Sequence, residues 1–447
     1  MKLTRISVKK LFGIFDHSVT LSEADGITIL FGPNGIGKTA LLKLLNSFFT
    51  SNYSDLRSIP FLELQIHFDD NVSVTITKTQ QHLSKSKRIQ QDEQSQLVFL
   101  YRSADAKPER YIVEELDLDK LRISSRFIEG EIPDVSRVNS DLWLMHSTGE
   151  VVTIEGIIRR FPEYFPRHIV NNDKEPQWLR DLSKRVHVRL VQAQRLVSVD
   201  STGNRPREYD KKHAITHAVR AYSEEITFAI RSKLEEYARL SQSLDRTFPG
   251  RVLSKRYSEP LTSGELIARL DELETKRTGL RAAGLLEEED DANFQVHGNL
   301  DSTELRVLSV YADDTEKKLD VFNDIASRID LLKQIINDHF KYKKISVTKD
   351  HGFTFINDLS DRLSPTQLSS GEQNELVILY ELLFKVQPGS LILLDEPEIS
   401  LHLEWQLGFL EDIRRIAALS SLDVVIATHS PQIINDRWDL TQELTGP

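Results

Sequence analysis

Gly32-Pro33-Asn34-Gly35-Ile36-Gly37-Lys38-Thr39 follows the apolar run Ile27 to Phe31 and opens onto Ala40-Leu41-Leu42-Lys43-Leu44-Leu45. An apolar stretch that stops at a glycine-rich turn and resumes with helical spacing reads as strand, loop and helix. Glycines at 32, 35 and 37 let the backbone wrap phosphate oxygens, which the start of the following helix also favours electrostatically. The cradle is expected to comprise Gly32, Pro33, Asn34, Gly35, Ile36, Gly37, Lys38, Thr39 and Ala40. Lys38 would reach the β- and γ-phosphates of ATP, and the Thr39 hydroxyl would bind Mg²⁺.

Working outward, Leu391-Ile392-Leu393-Leu394 is an unbroken apolar strand that ends in Asp395-Glu396. Continuous apolar strands suit a parallel sheet covered on both faces, whose ligands gather at the carboxyl ends of the strands. Asp395 is therefore the candidate metal-side carboxylate, with Thr39, and Glu396 the candidate general base for an attacking water. A second apolar strand, Val424 to Ala427, ends in Thr428-His429-Ser430. That position makes His429 a candidate for sensing and polarising the γ-phosphate. Near the end of the chain, Leu368-Ser369-Ser370-Gly371-Glu372-Gln373 reads by itself as a helix N-cap before Asn374-Glu375-Leu376-Val377. Serine hydroxyls and exposed N–H groups at a helix start are also anion donors.

Taken together these segments resemble the ABC-type ATPases. Gly32 to Thr39 looks like Walker A, Leu391 to Glu396 like Walker B, Leu368 to Gln373 like the signature, Pro397 to His402 like the D-loop, and His429 like the switch histidine. The resemblance implies that Ser369, Ser370, Gly371 and Glu372 of one molecule close over the ATP held by another. It also implies a Q-loop glutamine, a further metal and nucleotide contact. Gln194 in Val188-Arg189-Leu190-Val191-Gln192-Ala193-Gln194-Arg195 is the first choice and Gln192 the second. Two departures, Ser370 where the signature usually has glycine and a D-loop without the transporter aspartate, are similar to the SMC-like, RecF-like and OLD-like branch.

Strand-like Leu3 to Val8 and Val19 to Leu21 precede the P-loop, and period-two alternation in Leu62 to Phe68 and Val72 to Ile76 predicts a hairpin with one wet face. Leu97 to Tyr101 and Arg110 to Glu114 suggest another. Residues 115–185 carry mixed helical and loop signals. From about Arg207 the period becomes helical through Ile215, Val219, Tyr222, Ile226, Ile230, Leu234, Tyr237 and Leu244, and Pro249-Gly250 is expected to stop that run. Leu266 to Leu280 continues the helical pattern, and Leu305 to Ile329 reads as a single heptad seam. The expected fold class is α/β: an ABC-type head with a mixed sheet flanked by helices, an antiparallel β lobe, and an inserted helical or short coiled-coil arm. The expected divisions are residues 1–200 with the P-loop and Q-loop, 205–343 as the insertion, and 344–447 with the signature, Walker B, D-loop and switch histidine. Whether the insertion projects or packs against the head is left open.

The 447 residues exceed one ordinary domain, and no apolar run approaches the roughly 20 residues that span a bilayer. With no signal-peptide core, a cytoplasmic location is expected. The absence of cysteine excludes disulfides, thiolate catalysis and a cysteine-based zinc hook. A net charge of −11 argues against broad nonspecific binding to nucleic acid. Lys85-Ser86-Lys87-Arg88 and Arg205-Pro206-Arg207 with Lys211-Lys212 are the candidate basic patches, read most simply, like the acidic run Glu287 to Asp291, as solvated loops.

Only 17 residues follow Ser430, too few for a Toprim nuclease domain, and no His-Asn-His pattern is present. A nuclease activity is therefore expected to come from another chain. Gln192 to Arg195, Ser241 to Asp245, Leu394 to His402 and Ala427 to Ile434 also resemble ATPases of bacterial anti-phage operons, first the PARIS type and next the Septu type. That resemblance implies a slow ATPase, homodimers engaged through ATP that build higher oligomers, and a phage protein as trigger. The nuclease effector it implies is Toprim-type, with an HNH type as the alternative. A RecF- or SMC-like DNA-repair ATPase and a pure interaction module remain the other two readings.

Overall fold

The computed structural model describes residues 1–22, 25–80, 95–104, 106–113, 125–132, 135–137, 142–145, 151–161, 164–165, 175–192, 208–254, 262–286 and 300–446. Its contacts divide the chain into two units, Met1–Ala214 with Glu381–Pro447, and Ile215–Tyr380. The second boundary falls after Tyr380 rather than at the expected 343/344, so the signature segment belongs with the helical unit.

The first unit begins with β1 (Leu3–Leu11), β2 (Phe15–Thr20), β3 (Ile27–Phe31), α1 (Lys38–Phe49), α2 (Tyr53–Ser58), β4 (Glu63–Phe68), β5 (Ser73–Gln80), β6 (Ser95–Ser103) and β7 (Ala106–Val113). An antiparallel sheet runs in the order β2-β1-β4-β5-β6-β7. Strand β4 buries alternate residues, as a sheet with one wet face requires. Nine of the twelve residues of α1 are buried, so this helix has no solvent stripe. It lies in a core shared by the antiparallel sheet and by Leu391, Leu393, Val425 and Ala427.

Next come α3 (Ser125–Glu131), β8 (Val135–Arg137), β9 (Leu142–Met145), β10 (Val151–Thr153), α4 (Ile154–Arg160), α5 (Gln177–Arg185) and β11 (Val188–Gln192). The helical and loop content expected for residues 115–185 is thus joined by a three-stranded antiparallel sheet, order β10-β9-β8, over its own core around Trp143. Strands of three or four residues are too short to reveal alternation in the sequence.

The second unit contains most of α6 (Glu208–Ser254), then α7 (Ser263–Ala282), α8 (Ser302–Asp320), α9 (Asn323–His339), β12 (Lys343–Thr348), β13 (Gly352–Asn357), β14 (Arg362–Leu363) and the start of α10 (Ser370–Phe384). Two expectations are corrected here. Helix α6 does not stop at Pro249 but passes through it to Ser254. The proline leaves the Asp245 carbonyl without its helical donor, yet Arg251 ties the last turns down. It donates to the Leu244 carbonyl at 2.8 Å and to Asp314 of α8 through Nη2 at 2.6 Å. The seam from Leu305 to Ile329 is two helices, broken at Val321-Phe322, with Phe322 fully buried against Tyr237.

Cross-helix ion pairs give the directions. Arg269 meets Asp313 at 2.9 Å and Lys276 meets Asp320 at 2.7 Å, both numbers rising together, so α7 and α8 run parallel. Arg251 pairs with Asp314 while Asp245 pairs with Lys318 at 2.8 Å, so α6 runs antiparallel to α8.

The chain returns to the first unit with β15 (Leu391–Asp395), α11 (Leu403–Ser420), β16 (Asp423–Thr428), α12 (Pro431–Ile434) and β17 (Thr441–Glu443). These complete a sheet in the order β11-β15-β16-β3-β17 whose pairings are all parallel. Its inner strands are buried on both faces, which explains their unbroken apolar runs. The register aligns Gln192 with Asp395, Asp395 with Ala427, and Thr428 with Phe31, so three candidate motifs leave the sheet at one edge. Arg189 of β11 and Glu381 of α10 form a buried ion pair at 2.6 Å beside that sheet. No helix among the described residues is long and apolar enough to cross a membrane.

Candidate nucleotide site

At the carboxyl end of β3 the chain turns through Gly35 (φ 84°) and Gly37 (φ 103°) into α1. A Cβ on Gly37 would stand 2.5 Å from Cδ2 of the fully buried Leu11, so both the backbone angle and the space demand glycine. At Gly32 a Cβ would meet the Leu444 carbonyl at 2.8 Å. Lys38 is buried, and its Nζ donates to the Gly32 carbonyl at 2.7 Å and the Pro33 carbonyl at 3.1 Å. Burial lowers the pKa of this lysine, while Glu396, Glu398 and Asp395 oppose the shift. The ammonium therefore holds the loop in a cradle shape and stands within the field of all three carboxylates.

Thr39 Oγ1 donates to Asp395 Oδ1 at 2.8 Å, joining residues 356 positions apart. Glu396 follows in the left-handed region (φ 49°, ψ 56°), with its N–H donating to the Ala427 carbonyl at 2.8 Å. A non-glycine residue in this conformation costs roughly 1–2 kcal/mol, and such positions cluster at functional sites. Glu398 is buried and accepts from Thr428 Oγ1 at 2.8 Å and from the His429 N–H at 3.0 Å, and its Oε1 lies 3.1 Å from His429 Nδ1. A hydroxyl and a carboxylate are hard oxygen donors of the kind Mg²⁺ takes together with substrate phosphates and water. Among the described residues no group of three or more His, Cys, Asp or Glu could hold a metal ion.

The signature segment lies in the second unit. Ser369 caps α10: its Oγ accepts from the Glu372 N–H at 3.3 Å, and Glu372 accepts from the Ser369 N–H at 2.8 Å, a reciprocal capping box. Glu372 also receives Lys343 at 2.8 Å. Its carboxylate is thus engaged in holding the turn, whereas Ser369 and Ser370 are exposed. Burial alone would raise the Glu372 pKa, but donation from Lys343 and Ser369 outweighs it and the net shift is downward. A lowered carboxylate pKa contributes stability above its ordinary value of 4.5 and loses it as the pH falls through the folded value. Glu372→Gln is therefore expected to lower the urea midpoint at pH 7, with the deficit closing below pH 4.5. A deficit independent of pH would show that charge is irrelevant to this cap.

Gln194, Lys85 to Arg88, Arg205 to Arg207 and Glu287 to Asp291 lie outside the described residues. Gln192 ends β11 opposite Asp395. Two participants escaped the sequence reading. His17, buried on β2, donates through Nε2 to the Ile36 carbonyl at 2.8 Å and so props the phosphate loop. Phe12, half exposed in the turn after β1, lies with Cε2 3.8 Å from the Cβ position of Gly37. Neither has a local signal, because their relation to the loop exists only through strand pairing.

No curated protein matches the chain significantly. Similar solved structures include the SMC head domain from Thermotoga maritima, at TM-score 0.34 and 10% identity over 100% of this chain and 95% of that one. An Smc head with an extended coiled coil bound to the C-terminal domain of ScpA, derived from Pyrococcus furiosus, follows at TM-score 0.33 and 10% identity, covering 97% and 90% of the two chains. A third, an SmcHead bound to the C-winged helix domain of ScpA, has TM-score 0.32 and 9% identity, covering 97% and 91%. The family model described as AAA ATPase domain, AAA_15, matches residues 1–434, a span that takes in the glycine-rich loop, the acidic end of β15, the histidine-bearing end of β16 and the helical unit, and the chain belongs to that family.

Proposed function

We propose that this ATPase is the nucleotide-driven sensor and scaffold of a bacterial anti-phage complex. The observation that carries the nucleotide chemistry is the Thr39 hydroxyl resting on Asp395 at 2.8 Å beside the buried Lys38. The loop N–H groups and Lys38 bind the ATP phosphates, the ammonium exchanging loop carbonyls for phosphate oxygens. Thr39 and Asp395, joined by Gln194, would hold Mg²⁺, which when bound would supply positive charge against that developing on the phosphates. Glu396 accepts a proton from the attacking water, whose oxygen bonds to the γ-phosphorus as the bond to the bridging oxygen breaks. His429 stands at the γ-phosphate end. Ser369, Ser370 and the start of α10 from a second copy seal the site, so ATP couples subunits into dimers and higher oligomers.

The defence role rests on the resemblance of Gln192 to Arg195, Ser241 to Asp245, Leu394 to His402 and Ala427 to Ile434 to anti-phage ATPases. In this reading turnover is slow and a separate nuclease, Toprim-type in the first instance and HNH-type otherwise, is held until a phage protein is sensed. Expressed with its genomic neighbour, the wild-type chain should cut plaque formation by at least about a hundredfold, and ATP turnover should change less than about twofold on adding DNA. Undiminished plaques together with turnover strongly stimulated by DNA would replace the defence reading with DNA repair.

A further inference from the structure

We propose that Glu398 is the positioning residue of His429, fixing which ring nitrogen faces the nucleotide. The inference deepens the reading of His429 given above and rests on it. Glu398 is 8% exposed and His429 is open to solvent, its side chain 43% exposed. One carboxylate oxygen, Oε1, receives the Thr428 hydroxyl at 2.8 Å and the His429 N–H at 3.0 Å, and forms an ion-pair contact with His429 Nδ1 at 3.1 Å. Its other oxygen, Oε2, is buried without a hydrogen-bond partner among the described residues. The backbone beneath is braced as well, since Gln406 Nε2 donates to the Glu398 carbonyl at 3.2 Å.

An ionised carboxylate can only accept, so a ring nitrogen 3.1 Å from it is favourably placed with the proton on Nδ1 and repelled with a bare lone pair there. Nε2, on the opposite side of the ring, is then the nitrogen left to act in the site. The same carboxylate grips the backbone and the preceding side chain, so the whole Thr428-His429 turn is held against the segment that follows Asp395 and Glu396. A carboxylate that orients a working imidazole through Nδ1 is a recurrent device in catalysis. It also gives a physical sense to an acidic residue in a segment that lacks the transporter-type aspartate.

The test uses the full chain. Glu398→Met removes the acceptor at similar volume and is expected to lower kcat about tenfold to a hundredfold while KM for MgATP stays within about twofold. His429→Ala should lose as much, and Glu398→Met combined with His429→Ala should be no worse than His429→Ala alone. Glu398→Gln, which keeps an acceptor oxygen, should retain most of the turnover. Equal losses from Glu398→Met with and without His429 would overturn the proposal, as would an unchanged kcat. Long-range ¹H–¹⁵N spectra of His429, assigned by its loss in His429→Ala, judge the same point without turnover or a folded Met variant. Wild type should show the Nδ1–H form, and an Nε2–H form would overturn the proposal. An inactive wild type with the Nδ1–H form would instead refute only the hydrolytic reading of the site.

Discussion

A chain carrying Glu396→Gln is expected to bind ATP normally and turn it over at least about a hundredfold more slowly than wild type. The amide keeps the shape of the carboxylate but cannot take the proton of the attacking water. Glu396 is suited to that role by its place, one residue after Asp395 at the edge where β3, β15 and β16 end, and by its left-handed backbone. In the proposed site binding falls to other groups, chiefly Lys38 and the loop N–H donors, so the variant should accumulate in the ATP-bound form. Size-exclusion measurements should then show a larger species with ATP than with ADP, and more of it than for wild type. Undiminished turnover with no effect of nucleotide on size would remove Glu396 from the mechanism.

Lys38→Ala and Ser370→Arg chains are each expected to be inactive, and an equal mixture that exchanges subunits should recover about a quarter of wild-type turnover. Random pairing makes half the dimers mixed. Each mixed dimer has one doubly damaged site and one assembled from an intact Lys38 and an intact signature. The physical basis is that Ser369 and Ser370 are exposed at the start of α10, where the first N–H groups of a helix lack partners within it. Arginine at position 370 would block that approach by bulk. If each signature served the phosphate loop of its own chain, no mixture would regain activity.

Much of the fold around the candidate site was legible because its turns and strands are written in contiguous residues. The phosphate loop needs glycine where φ is positive, and Gly35 and Gly37 have φ 84° and 103°. Apolar runs announced β3, β15 and β16 because strands covered on both faces have no polar side. The helical unit was legible only in part. Its period revealed helices, yet Pro249 was a misleading stop, because side-chain bonds from Arg251 secure the turns around it. The heptad pattern concealed the break at Val321-Phe322 because buried seam residues continue on both sides of it. Parallel α7 and α8 could not be foreseen from spacing, which is blind to direction.

By itself, then, the sequence determined that a glycine-rich turn leads from a buried strand into a helix, and that acidic and histidine-bearing strand ends exist elsewhere in the chain. Only the tertiary structure decided which of them meet: Thr39 with Asp395 across 356 residues, Glu398 with His429, and His17 beneath the loop at Ile36. The reason is physical. Backbone conformation and periodicity are set by neighbours in the chain, whereas these encounters follow from strand order and register, which form through pairing between residues far apart.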